Sequence, residues 1–505
     1  VACFPVYRTY VSTRGWAPVD RERIETAVSR ARWRNPAVEA SVFDFFREVV
    51  LPRRDEPSPP GNADGNGTAE RRDGYAPGDN REYRERLTFS MHLQQFTAPV
   101  QAKGLEDTAF YRYNPLVSLN EVGGAPARFG RSIAEFHEAN AARQRNWPHE
   151  MTATATHDTK LGEDVRARIS VLSQIPGEWR KHVARWTRIN TACRTSVQGN
   201  PAPDRNDEYR FYQVLVGVWP RPGAPADPSL VSRVRDYMMK ATKEAKVHTS
   251  WVNDNAVYDR ATSGFVERSL TGHGAPRFLA SFLPFHARVA ELALGNSLSQ
   301  LVLKIAAPGV PDTYQGNELW DFRLVDPDNR SRVDFDHRVR LLSELEPQLP
   351  VSARGPELLT GCEAPEMVAR LMETWIDGRI KLWVTACGLR LRRVRPALFA
   401  EGEYLPLRTS GAMPAEPVAF ARTSGTSAIA AVAPRLHARA GSTWREWGAA
   451  WGNAVVHLPP ELSDRVWRSA LTGERLELER RAEGSVLSLA RLLSTVPVGL
   501  VVAEE

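Results

Sequence analysis

The strongest constraint on the fold is the stretch MTATATHDTK at residues 151–160. Its alternation of Thr and Ala predicts a tightly packed β-strand that stops at His157 and Asp158. The sequence EDVRARISVL follows directly and has apolar residues at helical spacing. A strand, a short turn and a helix, with polar groups where the strand ends, are typical of one unit of an α/β barrel.

A second stretch has the same character. The apolar segment SLSQLVLKIAAPG, residues 297–309, leads into the polar sequence VPDTYQGNELW. In barrels of alternating strands and helices, polar residues at the carboxyl ends of strands form the active site. We therefore expect both stretches to contribute to one site.

The pattern of the remaining sequence predicts helices, a loop and a final β region. We expect a strand at residues 4–11 and helices at about 20–50 and 81–97. The Pro-, Gly-, Asp- and Asn-rich residues 52–80 predict a disordered surface loop. Residues 178–300 are mainly helical in pattern, whereas short alternating runs from about Ile380 predict an all-β sandwich.

Composition excludes several classes of protein. None of the 505 residues falls in an apolar run of about 20, the length of a membrane helix. The 66 basic and 60 acidic residues are interleaved, without the basic stripe of a nucleic-acid-binding protein. Cys3, Cys193, Cys362 and Cys387 form no CxxC pair, which disfavours a disulfide or zinc framework and suits a reducing cytoplasm.

The pair His157-Asp158 is the strongest local candidate for chemistry. A carboxylate at the end of a strand can bind a sugar hydroxyl or stabilise developing positive charge. The alternative is that Asp158 caps the following helix, a routine role for aspartate. The spacing alone leaves both readings open.

Two further stretches carry groups suited to polyol recognition. The sequence KGLEDTAFYRYN, residues 103–114, concentrates charges and aromatic rings in a turn-rich stretch, among them Lys103, Arg112 and Tyr113. Aromatic faces stack on sugar rings, and charged groups bind hydroxyls. The alternative is a solvated loop whose aromatic residues pack into a core.

The loop at residues 310–335 offers Tyr314 and Arg330 among several polar groups. Its Pro, Gly, Asp and Asn content predicts a long loop, which inside a domain is often functional. A salt-bridged surface loop is the alternative. Its DPDN sequence lacks the Gly and the distal Glu of a calcium loop, so we expect no metal there.

Several stretches together resemble maltooligosyltrehalose synthase, a member of the α-amylase superfamily of (β/α)8 barrels. They run in order from Val1 to about Asp336 and include QQFTAPVQAKGLEDTAFYRYNPLVSLNEVGG, TATATHDTKLGEDVRARISVLSQIPGEW and PGVPDTYQGNELWDFRLVDPDNRSRVDF. Two more are NDEYRFYQVLVGVWP and AKVHTSWVNDNAVY. The resemblance implies an isomerase that moves the reducing-end α-1,4 bond of a maltooligosaccharide to an α,α-1,1 bond, a step of trehalose biosynthesis that needs no cofactor.

By this resemblance, Asp158 is the acidic residue that stabilises the transition state, and His157 contacts the sugar beside it. Lys103, Arg112, Tyr113, Tyr314 and Arg330 are expected to enclose the substrate. The family also implies a nucleophilic Asp in a stretch like GxRxDHxDG and a Glu as general acid, which this sequence lacks.

We therefore expect the C-terminal part of a (β/α)8 barrel with helical insertions over residues 1–350, followed by the sandwich domain over residues 380–505. The resemblance implies an α-glucan substrate and, in the same pathway, the trehalohydrolase that releases trehalose. On its own, the chain is expected to be inactive.

Two alternatives stay open at this point. The parent enzyme could hydrolyse or transfer α-glucan without isomerising it, which would release glucose. Alternatively, the chain could be a non-catalytic protein that binds glucan. An incomplete barrel with open strand edges argues against independent folding of such a protein.

Overall fold

The computed structural model describes residues 1–52, 81–351, 364–413, 415–441, 443–481 and 484–504. The chain divides into two compact units, Val1–Tyr111 and Arg112–Glu505. The predicted loop at 52–80 lies outside the described residues except for Pro52, and so does Cys362.

The first unit is helical. Its helices are α1 (Pro18–Arg34), α2 (Ala40–Val50), α3 (Arg81–Gln101) and the short α4 (Phe110–Arg112), whose last residue belongs to the second unit. The predicted helix at 20–50 is thus two helices, because Pro36 lacks an amide hydrogen and disfavours helical backbone in the residue before it. The helix predicted at 81–97 is confirmed by α3.

Residues 4–11 do not form a strand, so that prediction is wrong. The backbone of Val11 is satisfied by a side chain instead. Its amide donates to Oε1 of Gln94 at 2.6 Å, and its carbonyl accepts from Nε2 of the same residue at 2.9 Å. Phe4 and Val11 still enter the core of this unit, which explains their apolar pattern.

The predicted turn-rich stretch at 103–114 is mostly helical. Residues Ala102–Ala109 form a π-helix that continues α3 and precedes α4. Lys103 and Asp107, four residues apart, form an ion pair along this segment, as expected for oppositely charged residues on one helical face. The charged pattern therefore belongs to a helix surface.

In the second unit, helix α5 (Ile133–Asn146) precedes strand β1 (Met151–Ala153) and helix α6 (Glu163–Val171). The strand, turn and helix predicted from the MTATATHDTK stretch are therefore confirmed. Strand β1 pairs in parallel with a strand that begins at Val310, with Met151 opposite Val310.

Helices fill most of the chain between these two strands. They are α7 (Pro176–Ile189), α8 (Arg205–Val218), α9 (Pro228–Ala245), α10 (Ala256–Thr271) and α11 (Ala275–Ala306), with a hairpin of β2 (Thr195–Val197) and β3 (Asn200–Ala202). The apolar segment at 297–309 is the end of the 32-residue α11 followed by a turn. The strand itself, β4 (Val310–Asp312), has three residues.

Three more helices precede the β region: α12 (Phe335–Leu345), α13 (Ala364–Glu373) and α14 (Arg379–Val394). The alternating strand predicted from Ile380 onward is wrong, because α14 occupies this sequence. Ile380, Trp383, Cys387 and Leu391 are spaced three or four residues apart and are all buried, the pattern of one helical face.

A short helix, α15 (Pro396–Ala400), leads into two antiparallel sheets. Their strands are β5 (Glu403–Pro406), β6 (Thr409–Ser410), β7 (Val418–Ser424), β8 (Ser427–Ala433), β9 (Val455–His457), β10 (Trp467–Ser469), β11 (Arg475–Leu476), β12 (Glu479–Arg481), β13 (Gly484–Ser488) and β14 (Gly499–Ala503), and the helices α16 (Trp444–Ala450) and α17 (Leu489–Leu492) lie between strands. One sheet has the order β11-β10-β14-β8-β7-β5 and the other β12-β13-β9-β6.

The six-stranded sheet is buried on both faces. Residues such as Ala430 and Val501 pack with Val456 of the other sheet. On the opposite face, Ile429 and Leu500 pack with residues of α11 and α14. This double burial explains why β7 and β8 have continuous apolar runs instead of strict alternation.

Candidate functional site

The parallel strands β1 and β4 place two polar segments at the same edge of their small sheet. His157 and Asp158 follow β1, and Tyr314 follows β4. Both His157 and Asp158 are exposed, whereas Tyr314 is half-buried. The two polar segments thus lie at one edge of this sheet, and their contribution to one functional site stays a prediction.

Asp158 does not cap the helix that follows it. Helix α6 begins at Glu163, and its N-cap is Gly162, which has no capping side chain. The amide of Asp158 donates instead to Oγ1 of Thr156 at 3.2 Å, which shapes the turn. The helix-cap alternative is therefore excluded by position.

The loop at residues 310–335 holds the turn of His157 by hydrogen bonds. Nδ2 of the buried Asn329 donates to the carbonyls of His157 and Thr159 at 3.1 and 3.3 Å. The hydroxyl of Tyr314 donates to the carbonyl of Asn329 at 3.0 Å. The exposed Arg330 reaches the carbonyl of His157 with Nε at 3.4 Å. His157, Tyr314 and Arg330 are thus brought together.

Glu121 supports the same turn from another side. Its carboxylate accepts hydrogen bonds from the amides of Lys160 and Leu161 at 2.8 and 3.3 Å. The sequence analysis did not select Glu121 as a site residue. It lies in the NEVGG sequence that contributed to the resemblance, the one signal that could have pointed to it.

A buried ionic cluster lies behind the turn, and it was also missed. Nζ of Lys381, on α14, is 2.6 Å from Oε1 of Glu163 and 2.6 Å from Oδ2 of Asp164. Lys304, near the end of α11, lies 4.0 Å from Glu163, and all four residues are buried. The cluster ties the start of α6 to two helices that are distant in sequence.

Burial and charge act on the two carboxyls in opposite senses. Burial tends to raise the pKa of Glu163, but the charges of Lys381 and Lys304 outweigh it and lower this pKa to about 2. For Asp164, burial is the largest effect and raises the pKa, with a further contribution from the charge of Glu163. Burial tends to lower the pKa of Lys381, but the charges of Asp164 and Glu163 outweigh this effect and raise the pKa, so Lys381 stays protonated.

Lys240 and Arg330 surround a carboxylate beside the site. Nζ of Lys240 lies 2.7 Å from Oδ1 of Asp326. Burial tends to raise the pKa of Asp326, but the bond from Lys240 and the charges of Lys240, Arg330 and Lys160 lower it. Asp328 is held likewise, 2.8 Å from Arg233. The DPDN carboxylates are thus paired with basic side chains.

The other predicted site residues are Arg112, Tyr113 and Lys103. Arg112 donates from Nε to the carbonyl of Ala245 at 2.5 Å, at the end of α9. Tyr113 is exposed, and its carbonyl accepts from Asn120 at 2.6 Å. Lys103 is exposed in the first unit.

The site edge therefore exposes an imidazole, a carboxylate and a guanidinium beside the half-buried phenol of Tyr314. Such groups are donors and acceptors for sugar hydroxyls. Cys3 and Cys193 are free thiols. Among the residues that the structure describes, no helix is long and apolar enough to cross a membrane.

No protein-family model matches the chain. A curated relative from Mycobacterium tuberculosis, named as a maltooligosyl trehalose synthase, is 39% identical over 386 residues, which are 76% of this chain and 42% of the relative. The structure of maltooligosyltrehalose synthase from Arthrobacter ramosus is 30% identical, has a TM-score of 0.72, and is matched over 100% of this chain and 53% of its own.

A hypothetical maltooligosyl trehalose synthase from Sulfolobus tokodaii has 27% identity and a TM-score of 0.59, over 96% of this chain and 56% of its own. The chain thus spans about half the length of the relatives that it matches. Sequence and structure agree in confirming the resemblance: this chain is a homologue of the maltooligosyltrehalose synthases.

Proposed function

We propose that this chain supplies part of the active site of a maltooligosyltrehalose synthase. Such an enzyme acts on maltooligosaccharides and converts the reducing-end α-1,4 bond to an α,α-1,1 bond by intramolecular glucosyl transfer. The observation that carries the proposal is the meeting of His157 and Asp158 with Tyr314 and Arg330, where the parallel strands β1 and β4 end.

The barrel interpretation belongs to the same proposal. Strands β1 and β4 are parallel, and the connection between them is largely helical. Parallel strands with helical crossovers are the building units of a (β/α)8 barrel. We propose that these two strands are part of such a barrel, whose other strands come from the portion of the relatives that this sequence does not match. The domain ranges 1–350 and 380–505 stay predictions.

Asp158 would stabilise the positive charge that develops at the anomeric carbon. Retaining glycosyl transfer also requires a nucleophilic carboxylate and a general acid about 5–5.5 Å apart. We propose that both are supplied by the part of the enzyme outside this sequence. The 505-residue chain is then inactive alone but contributes groups to sugar binding.

Isomerisation instead of hydrolysis requires that the freed glucose remains bound and rotates within the site. Its anomeric hydroxyl must then attack faster than water, so the site must hold the sugar and exclude solvent. Tyr314 and Arg330 are positioned to contact it beside His157. Arg112, Tyr113 and Lys103 are proposed as further contacts on the basis of the resemblance.

The remaining proposals follow from the enzyme class. The substrate is an α-1,4-glucan, and the product is consumed by a trehalohydrolase. No cofactor enters this chemistry, since the transfer needs only carboxyl groups. Location in the cytoplasm stays a prediction.

The decisive test follows maltohexaose by proton NMR, first with this chain and then with a longer form that covers the full length of its relatives. We expect no turnover by the chain and, with the longer form, loss of reducing ends without release of glucose. Turnover by the chain alone would contradict the absence of the two carboxylates. Release of glucose alone by the longer form would favour the hydrolase alternative.

Variants of the longer form test the individual role of Asp158. Asp158→Asn should abolish isomerisation, because the amide cannot balance the developing positive charge. Asp227→Asn, which changes an exposed aspartate at the start of α9, is the matched control and should retain activity. Binding of glucan without turnover by every form would favour the non-catalytic alternative.

A further inference from the structure

The helical part of the second unit contains a cavity of about 390 Å³. It lies where the β2–β3 hairpin, the start of α8 and the loop before α10 meet. The polar residues of its wall are Asn200, Asp204, Arg205, His248, Asn255 and Tyr258. The proposed glucan chemistry makes no use of it.

Three ligand-type side chains converge beside this cavity. One carboxylate oxygen each of Asp204 and Asp207 and a ring nitrogen of His248 all lie within 4.8 Å of one another. Nε2 of His248 is 2.8 Å from Oδ2 of Asp204. Asp207 is buried, whereas His248 is exposed, so the group has one protected side and one open side.

We propose that Asp204, Asp207 and His248 bind a divalent transition-metal ion, with Zn²⁺ and Mn²⁺ as the ions that suit the donors. An imidazole favours transition metals over Ca²⁺ and Mg²⁺, and two carboxylates balance the charge of one divalent ion. Ligand atoms around Zn²⁺ lie about 2.0–2.2 Å from the metal, hence about 3.4 Å apart in a tetrahedron. The Asp204–His248 contact would therefore open by roughly half an ångström.

Neighbouring groups hold two of the ligands in orientation. Oδ1 of Asp204 accepts from the amide of Asp207 at 2.8 Å, which leaves Oδ2 directed at His248. The hydroxyl of Tyr258 donates to Oδ2 of Asp207 at 2.6 Å. The Tyr258 ring also stacks on the His248 ring, with centroids 4.4 Å apart. Such outer contacts fix ligand geometry in metal sites.

The charge balance of the cluster agrees with a cation. Burial raises the pKa of Asp207, and the charge of Asp204 raises it further. The opposing groups are Arg205 on the cavity wall and Arg210, whose charge lowers the pKa of Asp207. A metal ion would relieve the repulsion between the two carboxylates, and water in the cavity could complete its coordination.

The test is calorimetric titration of the metal-free chain with ZnCl₂ and with MnCl₂. We expect one saturable site that is weakened at least tenfold by His248→Gln and by Asp204→Asn. Asn caps helices as well as Asp does, so Asp204→Asn should preserve the start of α8. Absence of saturable binding at 100 µM metal would overturn the proposal, as would an affinity in either variant equal to that of the parent chain.

Two matched controls isolate the cluster. Asp227 caps α9 through the amide of Leu230 at 2.8 Å, as Asp204 caps α8, so Asp227→Asn removes a capping carboxylate at a helix start outside the cluster. His273 is exposed in the turn before α11, so His273→Gln removes an imidazole elsewhere. Both should bind metal like the parent, and weakening in them would contradict the assignment.

A measurement on the unsubstituted chain covers the case in which the variants do not fold. Modification by diethyl pyrocarbonate, mapped by mass spectrometry, should be slowed at His248 by Zn²⁺ and unchanged at His273. The Co²⁺-loaded chain should lack an intense thiolate charge-transfer band. Equal modification rates with and without metal, or a thiolate band, would overturn the proposal.

Discussion

Two pairs of polar residues lie a few positions apart on the same stretch and have opposite environments. His157 and Asp158 are exposed, whereas Glu163 and Asp164 are buried with Lys381. The exposed pair is held through backbone atoms, the amide of Asp158 and the carbonyl of His157. The buried pair is held through its side chains. The buried pair thus anchors the stretch, and the exposed pair is left for the sugar contact that we propose.

The largest effect on stability is expected at the centre of the buried group. Lys381→Met leaves Glu163 and Asp164 without their closest cation, which should lower the free energy of unfolding by about 3–5 kcal/mol. Urea denaturation followed by circular dichroism measures this loss. The triple variant E163Q/D164N/K381M should regain part of it, and a loss below about 1 kcal/mol in Lys381→Met would contradict the role of the cluster.

The next effect concerns a buried imidazole, in contrast to the exposed one of His157. Burial lowers the pKa of His437 to about 4, and its ring packs against Trp447 in a tilted arrangement with centroids 4.5 Å apart. Below its unfolded pKa of about 6.5 the unfolded chain gains a proton that the folded chain does not. Protonation of His437 in the unfolded chain therefore costs no stability above about pH 6.5. Toward pH 4 it lowers the free energy of unfolding by up to about 3 kcal/mol.

Denaturation curves between pH 4 and 7 measure this dependence. His437→Gln should flatten it relative to the parent. A parent-like profile in His437→Gln would show that other groups dominate the acid sensitivity.

A smaller loss is expected for the residue that joins the two loops. Asn329→Ala removes the donors to the carbonyls of His157 and Thr159 and should cost roughly 1–3 kcal/mol of stability. It should also weaken glucan binding, since the turn that carries His157 loses its support. Titration with maltohexaose checks the second effect, and unchanged binding would separate the turn from the proposed site.

The smallest effect on stability is expected at the exposed carboxylate. Asp158→Asn keeps the backbone bond to Thr156 and should leave the denaturation curve nearly unchanged, because exposed groups without buried partners contribute little to folding. If Asp158→Asn destabilised the chain as much as Lys381→Met, the separation between anchoring and ligand contact would be wrong.

The sequence predicted the parts of the fold that follow from local pattern. The turn at His157 and the helices between residues 178 and 300 have clear periodicity, and the structure contains them. The prediction of a strand at residues 4–11 is wrong because the apolar pattern there indicates burial and does not indicate pairing with another strand. The backbone of Val11 pairs instead with the side chain of Gln94, 83 positions away. The helix α14 was mistaken for strands because a short apolar run suits either structure.

The site could be predicted only in part for a similar reason. His157 and Tyr314 follow predicted strands, and Arg330 lies in the predicted loop at residues 310–335, so all three could be selected from the sequence. Lys381 is not, because nothing near it in the chain indicates that its partners are Glu163 and Asp164. Long-range ion pairs leave no periodicity, so a single sequence does not contain the signal that would identify them.

The pairing of Lys381 with Asp164 joins residues that are 217 positions apart in the chain. Recombination between this protein and a relative at any crossover between them would bring one half of the pair into a foreign background. A chimera whose second parent has a neutral residue at either position would contain a buried charge without its counter-ion. The inheritance of Lys381 together with Glu163 and Asp164 is therefore a condition for exchanging halves of such proteins.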